Sequence, residues 1–247
     1  MEVYMRVKIV LVSMLILFIG FAAFGEGNRE EEPAQMTSDD APDSQWNLKA
    51  SNGLLIGGYG DNFVYDGKAV VPVGGEASVD VNADKNTGYM EAVFDGTITP
   101  EKGKTYTGEI KLVYEKFSEG SDFWEGGVAD FIYLHGDTGQ EAPVMPKVET
   151  YLASWGPVDV FVDGEKIYDD LVGHMMYTEG SRDRETYAIY KSDGTSYYSP
   201  KEPADSSIAH PDRKELHFVA HTTEPDKGNF PPHTVWIHLN FQDVEEM

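Results

Sequence analysis

Four of the chain's seven histidines fall between positions 215 and 241, in ELHFVAHTTEPDKGNFPPHTVWIHLNF: His217, His221, His233 and His238. His217 and His221 have the spacing that presents two imidazoles on one helical face, as zinc proteases require, but no glutamate stands between them in the protease position. The flanking pattern also argues against a helix. Leu216, Phe218 and Ala220 alternate with His217, Val219 and His221, which is the period of a strand. Four residues of strand span about 13 Å, at about 3.3 Å each, too far for both rings to hold one ion. A site between strands remains open. Val235, Ile237, Leu239 and Phe241 make an apolar face that leaves Trp236 and His238 on the other, so an antiparallel hairpin puts His217, His221 and His238 on one outer face. Direct pairing of His217 with His238 brings the two within reach of a shared metal, whereas a slip of two residues is expected to separate them. His233, placed by the same alternation on the apolar side, is expected to be structural.

A third strand, around His174-Met175-Met176, offers nitrogen and thioether donors of the kind that suit copper. The transition-metal candidates are therefore His174, His217, His221 and His238, for copper, zinc or iron. A second set has oxygen donors. In DVNADKNTGYME, Asp80, Asn82, Asp84, Asn86 and Glu91 occupy positions 1, 3, 5, 7 and 12 of a calcium loop, a spacing that resembles an EF-hand. Lys85 stands where that family has its turn glycine, and the flanks read as strands, so the resemblance extends only to the spacing. Exposed aromatic faces for a glycan are the other option, from Trp46, Trp124, Trp155, Trp236 or the pair Tyr197-Tyr198.

The elements that must position these groups are short alternating runs separated by glycine turns. Hairpins are predicted at Asp66-Gly67, Asp163-Gly164 and Asp193-Gly194, and no window carries a sustained 3.6-residue period. The expected fold is all-β, an antiparallel β-sandwich over residues 46–247, with a partly closed β-barrel as the alternative. Residues 1–25 read as a signal peptide: Arg6 and Lys8 precede an apolar run that ends in Ala23-Phe24-Gly25. Residues 26–45 are an acidic disordered linker. Export to the periplasm or the exterior is the expectation, with an uncleaved membrane anchor as the alternative.

Composition narrows the function classes. The 43 acidic against 19 basic residues give a formal net charge of −24, which disfavours nucleic acid and anionic lipid surfaces and favours cations. Cysteine is absent, removing disulfides, thiolate metal sites and cysteine nucleophiles together. There is no G-x-S-x-G elbow, P-loop, dinucleotide fingerprint or H-E-x-x-H, so catalysis is disfavoured. The sequence points to an exported binding module for a metal ion, with a glycan-binding or surface-interaction domain second and a hydrolase third.

Overall fold

The computed structural model describes residues 44–59, 65–120, 126–133, 147–199, 209–228 and 231–247. The stretches read from sequence as a signal segment and an acidic linker, up to residue 43, and Trp124, lie outside them. Nine strands and no helix occur among the described residues: β1 (Gln45–Ile56), β2 (Val70–Asn82), β3 (Thr87–Glu101), β4 (Lys104–Tyr114), β5 (Val128–Tyr133), β6 (Glu149–Val162), β7 (Glu165–Gly180), β8 (His210–His221) and β9 (Trp236–Glu246). They form one antiparallel sheet in the order β4-β3-β2-β1-β9-β8-β7-β6-β5, and β4 also pairs with β6 from Ile110↔Val162 to Val113↔Asp159. Successive strands other than β4 and β5 are neighbours, so tight turns suffice to connect several of them.

Alternation puts one residue in two on a common apolar face. Leu48, Val79, Val81, Met90, Phe94, Ile110, Leu112, Tyr114, Val160, Met175, Phe218, Leu239 and Phe241 meet there in a single cluster with little or no exposure. At roughly 1.5–3 kcal/mol for each large apolar side chain buried, this cluster is the main source of stability. Tyr114 crosses it and donates its hydroxyl to the Val219 carbonyl at 3.0 Å. Burial pushes that phenol far above its usual range, so it remains a donor.

Two glycines are demanded by the backbone. At Asp163-Gly164, which joins β6 to β7, φ is +50° and +80°, the primed turn that matches strand twist. Gly53 sits where the β1–β2 register shifts, and a Cβ there would stand 2.3 Å from the Gly74 carbonyl oxygen. The other expected hairpins fare differently. Asp193-Gly194 turns a short excursion closed by a Tyr190↔Tyr197 bridge. Asp66-Gly67 is a turn, but Tyr65 gives its carbonyl to the Ile189 amide rather than to β2.

The second face of the sheet is not uniformly open. From Glu215 to Ala220 and from Val235 to Gln242 every residue is buried, on both faces of β8 and β9. Residues 181–189 help to cover them. Arg182 donates its backbone N–H to Glu215, Arg184 reaches the Gln242 carbonyl, and Tyr187 packs on Leu54, Ile56 and Val70. That cover turns a face of polar residues into an interior layer.

Candidate functional site

β8 and β9 pair in the register His217↔Asn240, Val219↔His238 and His221↔Trp236. His217 and His238 are thus offset by two, the slip that was expected to separate them. They meet nonetheless, with His217 Nδ1 3.1 Å from His238 Nε2 and ring centroids 5.4 Å apart, because diagonal neighbours on a sheet lie within reach of long side chains. Neither ring reaches solvent to any extent, at 0 % and 3 % exposure.

On its other side, His217 Nε2 lies 3.3 Å from Glu215 Oε2. The same carboxylate accepts the Ser181 hydroxyl at 3.0 Å, the Arg182 backbone N–H at 2.9 Å and Asn240 Nδ2–H at 3.1 Å. Burial pushes the Glu215 carboxyl up, but the contacts with His217 and Arg182 outweigh it and hold the group at about 2. The Arg182 guanidinium is completely buried, which lowers its affinity for the proton, while the charge of Glu215 works to restore it. Its Nη1 donates to the Tyr187 carbonyl at 3.0 Å. This is a buried charge network: its members hold one another, and an ion entering it would have to displace them.

His174 and His221 belong to a different cluster. They are diagonal neighbours across β7 and β8, with ring centroids 6.3 Å apart. His233 completes the group, stacked at 4.1 Å on His221 and at 5.5 Å on Trp236. The position of His233 departs from the apolar side expected for it. The chain bends at Thr234 and Val235 before β9 begins, so counting back along the strand period fails there. All three histidines are only partly buried. Both His221 Nδ1 and His233 Nδ1 point at one acceptor, the Thr222 carbonyl oxygen, at 2.9 and 2.8 Å. A carbonyl can only accept, so each Nδ1 carries a proton and Nε2 is the nitrogen through which each ring can bind a metal. Burial and the neighbouring His233 lower the His221 pKa against the opposing pull of the Thr222 carbonyl, which favours the neutral ring. The loop is closed by Thr222 Oγ1 to Thr234 Oγ1 at 2.7 Å and Thr222 N–H to the Val235 carbonyl at 3.2 Å.

The four histidines expected to form one site are therefore divided between a closed network and an open cluster, linked through Trp236, whose ring contacts His221, His233 and His238. Met176 packs with Ala153, Ile132 and Trp155, and Met175 lies in the main core, so both thioethers serve packing.

The oxygen-donor loop is the β2–β3 hairpin, with its side chains engaged elsewhere. Asn82 Oδ1 accepts the Lys85 N–H at 2.8 Å and Asp80 accepts Gln45 Nε2–H at 2.6 Å. Asn86, at φ +51°, turns towards the Gly127 N–H and the Ser118 carbonyl, at 2.8 and 2.9 Å. Glu91 pairs with Lys111 at 2.5 Å, and Asp84 is exposed. These contacts give Asp80, Asn82, Asn86 and Glu91 separate partners. Among the described residues, Asp159, Asp169 and Asp170 alone bring three histidine or carboxylate donor atoms within 4.8 Å of one another. Lys166 Nζ already sits 2.6 Å from Asp159 and 2.8 Å from Asp169, supplying the cation that this group needs.

Of the aromatic residues considered as stacking faces, Trp236 and Tyr198 are buried and Tyr197 is exposed. Glu215 and Asn240 went unnoticed in the sequence, although their spacing of two from His217 and His238 puts them on the same faces, and nothing in the local sequence marks Arg182 as buried. The chain matches no family model, and comparison with curated proteins and with solved structures finds none similar to it.

Proposed function

We propose that this protein is an exported binding module that captures a divalent transition-metal ion of the copper or zinc class at the half-buried imidazole cluster. His221 and His233 supply Nε2, and His174 approaches as a third donor. One observation carries the reading: two adjacent imidazoles donate Nδ1–H to the same backbone carbonyl, an arrangement that fixes the tautomer and makes Nε2 the coordinating nitrogen, as in ligating histidines. The net charge of −24 attracts cations towards such a site. Because the three donor nitrogens are not gathered within 4.8 Å, capture requires rotation of at least one ring, which suits exchangeable binding rather than a permanent structural ion. The β4–β6 pairing supports a closed barrel as the scaffold, giving the site a rigid wall. The apolar run after Arg6 and Lys8 supports export.

Calorimetric titration of protein purified without a histidine tag, with Cu(II) and with Zn(II), tests the proposal. His221→Gln and His233→Gln should each weaken binding at least about tenfold, and His217→Gln should leave the affinity within about twofold. Binding that survives the His221/His233 double variant, or that disappears with His217 instead, would refute this assignment.

A further inference from the structure

A depression of 210 Å³ lies where the start of β1, the end of β9 and β5 come together, among Gln45, Trp46, Asn47, Asp130, Phe131 and Glu246. None of these residues belongs to the histidine cluster. Its most unusual member is Phe131. The side chain is 67 % exposed and the backbone has φ +48°, a left-handed conformation that is an outlier for a bulky residue. A large ring held in water on a strained backbone is not explained by packing. Such strain collects where a binding surface needs a side chain aimed in one direction. The Phe131 ring stands 5.5 Å from that of Trp46, at an interplanar angle of 53°, and Trp46 is backed edge-on by Tyr177 at 6.1 Å. Two aromatic faces therefore border the depression, one of them braced from behind.

The polar lining carries one sign of charge. Asp130 and Glu246 contribute carboxylates, Gln45 and Asn47 contribute amides, and among the described residues no lysine or arginine lines the depression. Glu246 is held by the Tyr177 hydroxyl, which donates to its Oε1 at 2.7 Å. Aromatic faces attract a cation through the ring quadrupole, Trp most strongly, and recognition of alkylammonium groups is the established use of such surroundings. Adjacent carboxylates reinforce the preference and repel phosphate.

We propose that this depression binds an organic ammonium cation, its alkyl groups against Phe131 and Trp46 and its charge balanced by Asp130 and Glu246. A free cation is favoured over a zwitterionic phosphocholine headgroup, because the carboxylates would oppose the phosphate.

Choline, its uncharged isostere 3,3-dimethylbutanol and phosphocholine vesicles serve as probes, with binding followed by calorimetry and by the NMR signals of the Trp46 indole and Phe131 ring. Choline should bind at least about tenfold more tightly than the isostere, weaken with added salt, and lose at least about tenfold in affinity in Phe131→Gly. Since glycine accepts a positive φ, the same variant should fold with an unchanged or higher melting temperature. Equal binding of the isostere would make the site merely apolar, and preferential binding of the vesicles would assign it to a lipid surface. A lowered melting temperature in Phe131→Gly with choline affinity intact would make Phe131 structural. Each of these results overturns the proposal, as does a neutral saccharide that shifts the two ring signals when choline does not.

Discussion

Replacing Glu215 by Gln removes the charge at the centre of the buried network while nearly conserving volume. The carboxylate accepts from Ser181, the Arg182 amide and Asn240 and adjoins His217, and its pKa lies at about 2 instead of the ordinary 4.5. At about 1.4 kcal/mol per pH unit, that depression corresponds to roughly 3 kcal/mol of stability near neutral pH. The figure agrees in order with the roughly 3–5 kcal/mol lost when one member of a buried charge pair is removed, here leaving Arg182 without its counter-charge. Because the folded-state pKa lies below the unfolded one, the contribution is complete above about pH 5 and fades as the pH falls towards 2. Urea unfolding of wild type and Glu215→Gln, followed by tryptophan fluorescence near pH 7, 5 and 3, reads both quantities. The variant should be about 3 kcal/mol less stable at the two higher values, and the gap should narrow at the lowest. A loss below about 0.5 kcal/mol at pH 7, or a gap that does not change with pH, would refute the network as described.

Other perturbations have defined outcomes. Gly53→Ala drives a Cβ to 2.3 Å from the Gly74 carbonyl oxygen and 2.8 Å from the Phe241 ring, so thermal denaturation should show a loss of at least about 1–3 kcal/mol, while an unchanged melting temperature would deny the bulge. Tyr114→Phe deletes the hydroxyl that reaches the Val219 carbonyl and should cost about 0.5–1.5 kcal/mol in urea unfolding, without altering the circular dichroism. Calcium should leave the wild-type melting temperature unchanged. In Lys166→Ala, which frees Asp159 and Asp169 of their ammonium partner beside Asp170, calcium should raise it.

Which parts of this architecture were readable in advance follows from how local their causes are. The alternation around Phe218 and the Asp163-Gly164 turn depend on neighbouring residues, so the strand, its core face and the turn type were legible. Register was not. Whether His217 faces Asn240 or His238 is a matter of how β8 and β9 are joined, and the bend at Thr234 also moves His233 into the cluster. Burial of the polar face was hidden for another reason. Glu215, His217, Asn240 and Gln242 alternate with apolar residues just as solvent-facing residues do, and their burial depends on cover from elsewhere in the chain, to which residues 181–189 contribute. The calcium-like spacing has another use in the fold, because Asn82 and Asn86 serve as turn and docking residues in a hairpin, roles that use the same oxygens.

The imidazole nitrogens themselves give the most direct test of the metal site. Long-range proton–nitrogen NMR of the tag-free protein should show His221 and His233 as Nδ1–H tautomers near neutral pH, and Zn(II) should shift both Nε2 resonances while leaving His217 and His238 in place. Nε2–H tautomers at His221 and His233, or Zn(II) shifts confined to His217 and His238, would contradict the account.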